Sequence, residues 1–143
     1  MDHDLTGRLD EVAAHRYVSL TTFRRSGDPV ATPMWVARNG AAVVLISVEG
    51  VGKLRRLGHT SRVELRPCDV RGRVPAGAAV WHGTAQLVRD PEGVREIQRA
   101  MSAKYPLARL GNAAEGLLGR WMQRKPRVGI RVTPGVTPPC GPR

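Results

Sequence analysis

The sequence predicts a mainly β, α+β fold: an antiparallel barrel with flanking helices. Three observations carry this. Three β-rich segments follow one another between residues 17 and 48, joined by tight-turn signals. The later segments do not alternate strictly strand with helix, as a doubly wound sheet requires. The chain of 143 residues, 41% hydrophobic and 24% charged, is long enough for one self-sufficient core.

Residues 5–16 read as a short first helix, with Leu5, Leu9, Val12 and Ala13 at helical spacing. Tyr17 to Phe23 is a strand, with Val18 and Leu20 on one face and Tyr17, Ser19 and Thr21 on the other. Ser26 to Pro29 is a turn, and Val30 to Ala37 is the return strand of a hairpin. Pro33 lacks an amide donor, which places that strand at an edge or a bulge. Asn39-Gly40 suits a tight hairpin turn into a third, buried strand over Ala42 to Val48. Gly50 to His59 reads as a short helix with Val51, Leu54 and Leu57 inward, and Arg62 to Cys68 as an alternating strand. A loop over 69–77 leads to a long strand, Ala79 to Val88. Asp90-Pro91 opens a helix with a capping side chain and proline at the first position, and Val94, Ile97 and Met101 form its apolar face. Pro106 ends it. A second helix carries Leu107, Leu110, Ala114, Leu117, Leu118 and Trp121, and Arg127 to Thr133 is the last strand. Residues 1–133 form one domain, and the Pro-rich segment 134–143 is expected to be a flexible tail.

The net charge of +11, from 23 Lys+Arg against 12 Asp+Glu, favours an anionic partner. Only Lys53, Lys104 and Lys125 are lysines; arginine excess can reflect genome composition, so local clusters carry the argument. Cys68 and Cys140 match no zinc or redox spacing, and His3, His15, His59 and His82 form no metal-ligand pattern, so no metal is expected. The N-terminus lacks a signal-peptide pattern, and the longest apolar run, Ala41 to Ile46, is far below the ~20 residues of a spanning helix. A soluble, cytoplasmic protein with no membrane partner is expected. Aromatic residues are few and no recognition motif matches, which counts against nucleic acid.

Two segments are candidates for chemistry. In Glu49 to Arg56, two glycines lead from a strand into a helix, with Lys53 in its first turn, Arg56 on the same face and Arg55 pointing elsewhere. An anion site and a solvated basic helix face both fit that pattern, and the phosphate-loop motif of nucleotide hydrolases is absent. In Thr32 to Trp35, the Pro33 kink beside Met34 and Trp35 suits a planar ring, or an edge strand with core aromatics. His82 alternates with Trp81 on a strand and is either structural or pocket-facing.

Taken in order, Tyr17 to Gly27, Pro29 to Trp35, Gly52 to Arg56 and Arg62 to Gly72 resemble the pyridoxamine 5′-phosphate oxidase-like split β-barrel superfamily. Within it the chain is most similar to the deazaflavin branch, which uses coenzyme F420. The resemblance spans residues 10–133 and implies a six-stranded split barrel that forms a homodimer with cofactor grooves at the interface. It also implies an oxidoreductase that moves a hydride between reduced F420 and an unsaturated or quinone-like small molecule. Lys53 and Arg56 would hold the cofactor phosphate, Thr32, Pro33, Met34 and Trp35 would line the ring, and Ser47 would contact the cofactor. No catalytic acid or base is indicated. The alternatives are an FMN-dependent oxidase or reductase of the same fold, and a non-catalytic carrier of flavin, deazaflavin or haem.

Overall fold

The computed structural model describes residues 2–105 and 126–134. In chain order the elements are β1 (Asp2–Asp4), α1 (Leu9–Ala13), β2 (Tyr17–Phe23), β3 (Pro29–Trp35), β4 (Ala37–Asn39), β5 (Ala42–Val48), α2 (Gly52–Leu57), β6 (Arg62–Cys68), β7 (Val80–Val88), α3 (Pro91–Lys104) and β8 (Arg127–Thr133). The expected helix over 107–121, Cys140 and the tail beyond Pro134 lie outside the described residues.

The strands form one sheet in the order β3-β2-β6-β7-β8-β5-β4. All pairings along this path are antiparallel, and β1 alone runs parallel, against β7. No ladder joins the two ends of the path, yet β3 and β5 come into contact, so the sheet curls into an open barrel. The six long strands are those the sequence indicates, and β2, β5, β6 and β8 keep their expected bounds.

Two short strands go beyond the expected six. Residues Asp2–Asp4 are extended against β7, and the Leu5 amide continues that contact by donating to the His82 carbonyl at 3.3 Å. Leu5 is therefore core without being helical, and the first helix shrinks to Leu9–Ala13. The expected strand Val30 to Ala37 breaks at Val36. The Val36 amide donates to the Tyr105 hydroxyl at 3.2 Å, and its carbonyl accepts from the Lys104 ammonium at 2.6 Å. Residue 36 thus spends both backbone groups on the end of α3, and β4 resumes the strand on its far side.

Strand alternation sorts the core into two parts. Val18, Leu20, Val43, Leu45, Leu65, Trp81 and Ile130 fill the barrel. Val44 points the other way and packs with Ala37, Val88, Ile97, Met101 and Tyr105 under α3. β5 is buried on both faces, which is why its sequence is a continuous apolar run. The α3 N-cap is Asp90, whose carboxylate accepts from the Gly93 amide at 2.8 Å. Burying Val94, Ile97 and Met101 contributes roughly 1.5–3 kcal/mol each.

The contact between α3 and β8 is close because residue 129 has no side chain. A Cβ there would overlap the Ile97 side chain and stand 3.3 Å from Val88 Cβ. Gly129→Ala is expected to lower stability by about 1–3 kcal/mol, the scale of overpacking, in a denaturant titration. Unchanged stability would mean that α3 rides loosely on β8.

Candidate functional site

α2 sits where β5 leaves the barrel, and it packs on β2 and β7. Leu54 and Leu57 are its buried anchors, and Val51 packs on the same core just before it. That anchoring turns the basic residues of the helix outward, toward the end of β2. β2 ends at Phe23, and the turn that follows is closed by Gly27, whose φ of +94° only glycine adopts readily. Arg24 and Arg25 stand at the start of that turn.

Turn and helix together form a cavity of about 290 Å³ lined by Arg24, Arg25, Gly52, Arg55, Arg56 and His59. Among the described residues no carboxylate lines it. Arg56 Nε donates to Thr22 Oγ1 at 2.6 Å, and Arg25 Nε donates to His59 Nε2 at 3.2 Å. Burial, then the charges of Arg24 and Arg55, push the Arg56 pKa down. Lys53 is half-buried beside this cavity without lining it, and burial followed by the Arg56 charge lowers its pKa.

The sequence-indicated residues fall into separate places. Arg56 lines the cavity, and so does Arg55, which corrects the expectation that it points elsewhere. Thr32, Pro33, Met34 and Trp35 lie on β3, an edge of the described sheet, as Pro33 requires. Pro33 is exposed, and the loop after β6 passes over it at Gly72. Thr32 is half-buried opposite Leu20. Met34 is 8% exposed and turned into the barrel core. Trp35 stacks on Tyr105, ring centroids 4.6 Å apart and planes 7° from parallel. Ser47 is 9% exposed near the end of β5. His82 Nδ1 lies 3.8 Å from Glu64 Oε2, between strands rather than in the cavity. Among the described residues no cluster of metal-ligating side chains is present, and no helix is long and apolar enough to cross a membrane.

Sequence reasoning missed Thr22, Arg24, Arg25 and His59 as parts of one site. The Arg24-Arg25 pair next to a turn was a visible signal, but its meeting with α2 is a tertiary fact.

A family model described as pyridoxamine 5′-phosphate oxidase matches residues 6–135. Among solved structures, an F420 reductase superposes with a TM-score of 0.60 at 21% identity, covering 89% of this chain and 93% of that one. An FAD-binding protein of Mesorhizobium loti gives 0.60 at 18% identity, with 90% and 87% covered. The haem storage protein of Vibrio cholerae gives 0.57 at 14% identity, with 92% and 91% covered. At such identities the likeness is one of fold. No curated protein sequence matches the chain.

The lowered Lys53 pKa has a testable consequence. A bound anion stabilises the ammonium, so binding takes up a proton wherever free Lys53 has begun to lose its own. Anion affinity is therefore expected to fall as pH rises through an alkaline window that opens below the ordinary lysine value. Calorimetric titration across that range checks this, and Lys53→Met should abolish the step. A pH-independent affinity would show that Lys53 is not coupled to the anion.

Proposed function

We propose a cofactor-dependent oxidoreductase from one premise: the chain belongs to the pyridoxamine 5′-phosphate oxidase family. The cofactor we assign is coenzyme F420, with FMN as the alternative. The reaction is hydride transfer between reduced deazaflavin and an unsaturated or quinone-like small molecule. The observation that carries this reading is the cavity of Arg24, Arg25, Arg55, Arg56 and His59, which no carboxylate among the described residues lines.

The residues present fit the anionic end of such a cofactor. Guanidinium groups offer paired donors that match phosphate oxygens, and their charge needs no proton uptake. A phosphate group carries at most about two negative charges. Four guanidinium groups exceed that, so a ligand with further acidic groups balances the cavity better, which favours the deazaflavin and its acidic tail over FMN. The similarity to an F420 reductase and to an FAD-binding protein supports a flavin-type ring.

When bound, the cofactor supplies the hydride chemistry, and the protein supplies position and electrostatics. Arg56 and Lys53 would hold the phosphate. Pro33 and Thr32 would offer the surface of the β3 edge to the ring, and Trp35 would support that edge through its stack on Tyr105. With Met34 turned into the core, its backbone is what remains for the ring. One edge strand makes one wall, so we assign the opposite wall to a second copy of the chain in a homodimer. Ser47, buried near the end of β5, would touch the cofactor from within the barrel.

A non-catalytic carrier is the second reading, favoured by the likeness to a haem storage protein. Binding of F420 and FMN side by side, followed by turnover, separates these readings. F420 is expected to bind more tightly, and Arg56→Ala to raise its dissociation constant about tenfold to a hundredfold. Added salt should weaken F420 more than FMN. FMN binding as tightly as F420 would overturn the deazaflavin assignment. Tight F420 binding with no reduction of enones or quinones would make the protein a carrier.

A further inference from the structure

We propose that Thr22 is the positioning residue of the anion site. Its hydroxyl fixes Arg56 so that the free guanidinium nitrogens serve the cavity, and Gly52 supplies the space that this pose needs. The group so bound is a phosphate- or diphosphate-like oxyanion. The proposal rests on the cavity being the anion site assigned above.

Thr22 follows Val18 and Leu20 on the inward face of β2 and is 1% exposed. On that face a valine would have the same shape and no polar atom to satisfy. A buried hydroxyl is costly unless it is bonded, and the bond it makes to Arg56 Nε is 2.6 Å long. Arginine has five N–H donors in a rigid fork. Committing Nε to Thr22 stops the guanidinium from turning and leaves Nη1 and Nη2 for a ligand. The bond also works against a local force. Arg24 and Arg55 repel Arg56, and without an anchor that repulsion would swing a flexible side chain away into solvent.

Gly52 is the second half of the arrangement. Its backbone is not in the left-handed region, so conformation does not call for glycine there. Space does: a Cβ at residue 52 would lie 2.9 Å from Arg56 Nη1 and 3.7 Å from Arg56 Cζ. The guanidinium rests against the Gly52 main chain, and a single methyl group would displace it.

The test is calorimetric titration at low salt, with inorganic diphosphate as the probe. Thr22→Val should weaken binding about tenfold, while Thr22→Ser, which keeps the hydroxyl, should stay within about twofold of wild type. Thr22→Val should add no further loss when Arg56 is already alanine, an outcome a merely structural role would not give. Gly52→Ala leaves the core untouched and should reproduce the roughly tenfold loss, which keeps the test decisive if the Thr22 variants do not fold. The proposal is overturned if Thr22→Val or Gly52→Ala binds diphosphate as wild type does. It is also overturned if the Thr22→Val loss persists undiminished in the Arg56→Ala background, or if wild type binds no diphosphate. Wild type that binds diphosphate but neither F420 nor FMN would sink the cofactor reading alone, and the same series would still decide the role of Thr22.

Discussion

Along β2, successive side chains must leave opposite faces of the sheet, and this alternation decides both what fills the barrel and what reaches the cavity. Val18 and Leu20 point inward and enter the core. Ser19, Thr21 and Phe23 point outward and are nevertheless buried, and arginines of β6 lie against Thr21 and Phe23. Arg66 donates to Thr21 Oγ1 at 3.2 Å while also pairing with Glu64 at 2.8 Å, and the Arg62 guanidinium stands 3.7 Å from the Phe23 ring centroid. The inward stripe ends in Thr22, where the barrel gives way to α2. Beyond Phe23 the strand releases its grip, and Arg24 and Arg25 enter the cavity. A one-residue slip of β2 against β6 would bury arginine partners and expose leucine, so register and site are fixed by the same pattern.

The cavity puts like charges together in a place where they cost stability. Arg56 is pushed toward its neutral form by burial and by two neighbouring guanidinium groups, and Lys53 by burial and by Arg56. Each shift states that the folded, ligand-free protein holds these charges less comfortably than the unfolded chain does. For Lys53, the sign is that stability is lowest while the folded-state ammonium is protonated and rises with pH through the depressed titration. An anion reverses the balance by supplying the missing countercharge, and a ligand that binds only the folded state stabilises it. The basic surface of this chain is thus not a uniform solvated coat. Glu64 ties Arg62 and Arg66 on the sheet, and Glu49 ties Arg89 at 2.7 Å, whereas no acid among the described residues lines the α2 cavity.

The long strands were legible because each carries either clean alternation or a continuous apolar run between turn residues. Arg62 to Cys68 alternates, Ala42 to Val48 does not, and both are strands for reasons the core makes plain. The Asp90 cap was legible because capping is local chemistry. The break at Val36 was not, since its cause is Tyr105 and Lys104, sixty-nine and sixty-eight residues further along the chain. Nor was β1, which pairs with β7 across a sequence separation of 78 residues. The same limit applies to the site. Lys53 and Arg56 stood out beside glycines, but the assignment of Arg55 to another direction assumed an isolated helix. In the protein the β2 turn curves over α2, so a residue pointing away from the core still faces Arg24 and Arg25.

The clamp at Val36 also bears on which part of this architecture selects a ligand. The Lys104 ammonium donates to the His15 and Val36 carbonyls, both at 2.6 Å, and the Tyr105 hydroxyl lies 2.9 Å from the Arg16 carbonyl. These bonds hold the end of β3 through backbone atoms, which any sequence possesses. Solved structures named for F420, FAD and haem share this barrel at 14–21% identity, so the barrel and its edge strand do not dictate one ligand. Where α2 meets the β2 turn, four guanidinium groups and an imidazole converge with no carboxylate among the described residues lining the cavity. In the proposed function, that end would read the charge of a ligand and the β3 edge its flatness. On that reading the choice among cofactors of similar shape would fall to Arg24, Arg25, Arg55 and Arg56, and to the threonine and glycine proposed to hold the last of them in place.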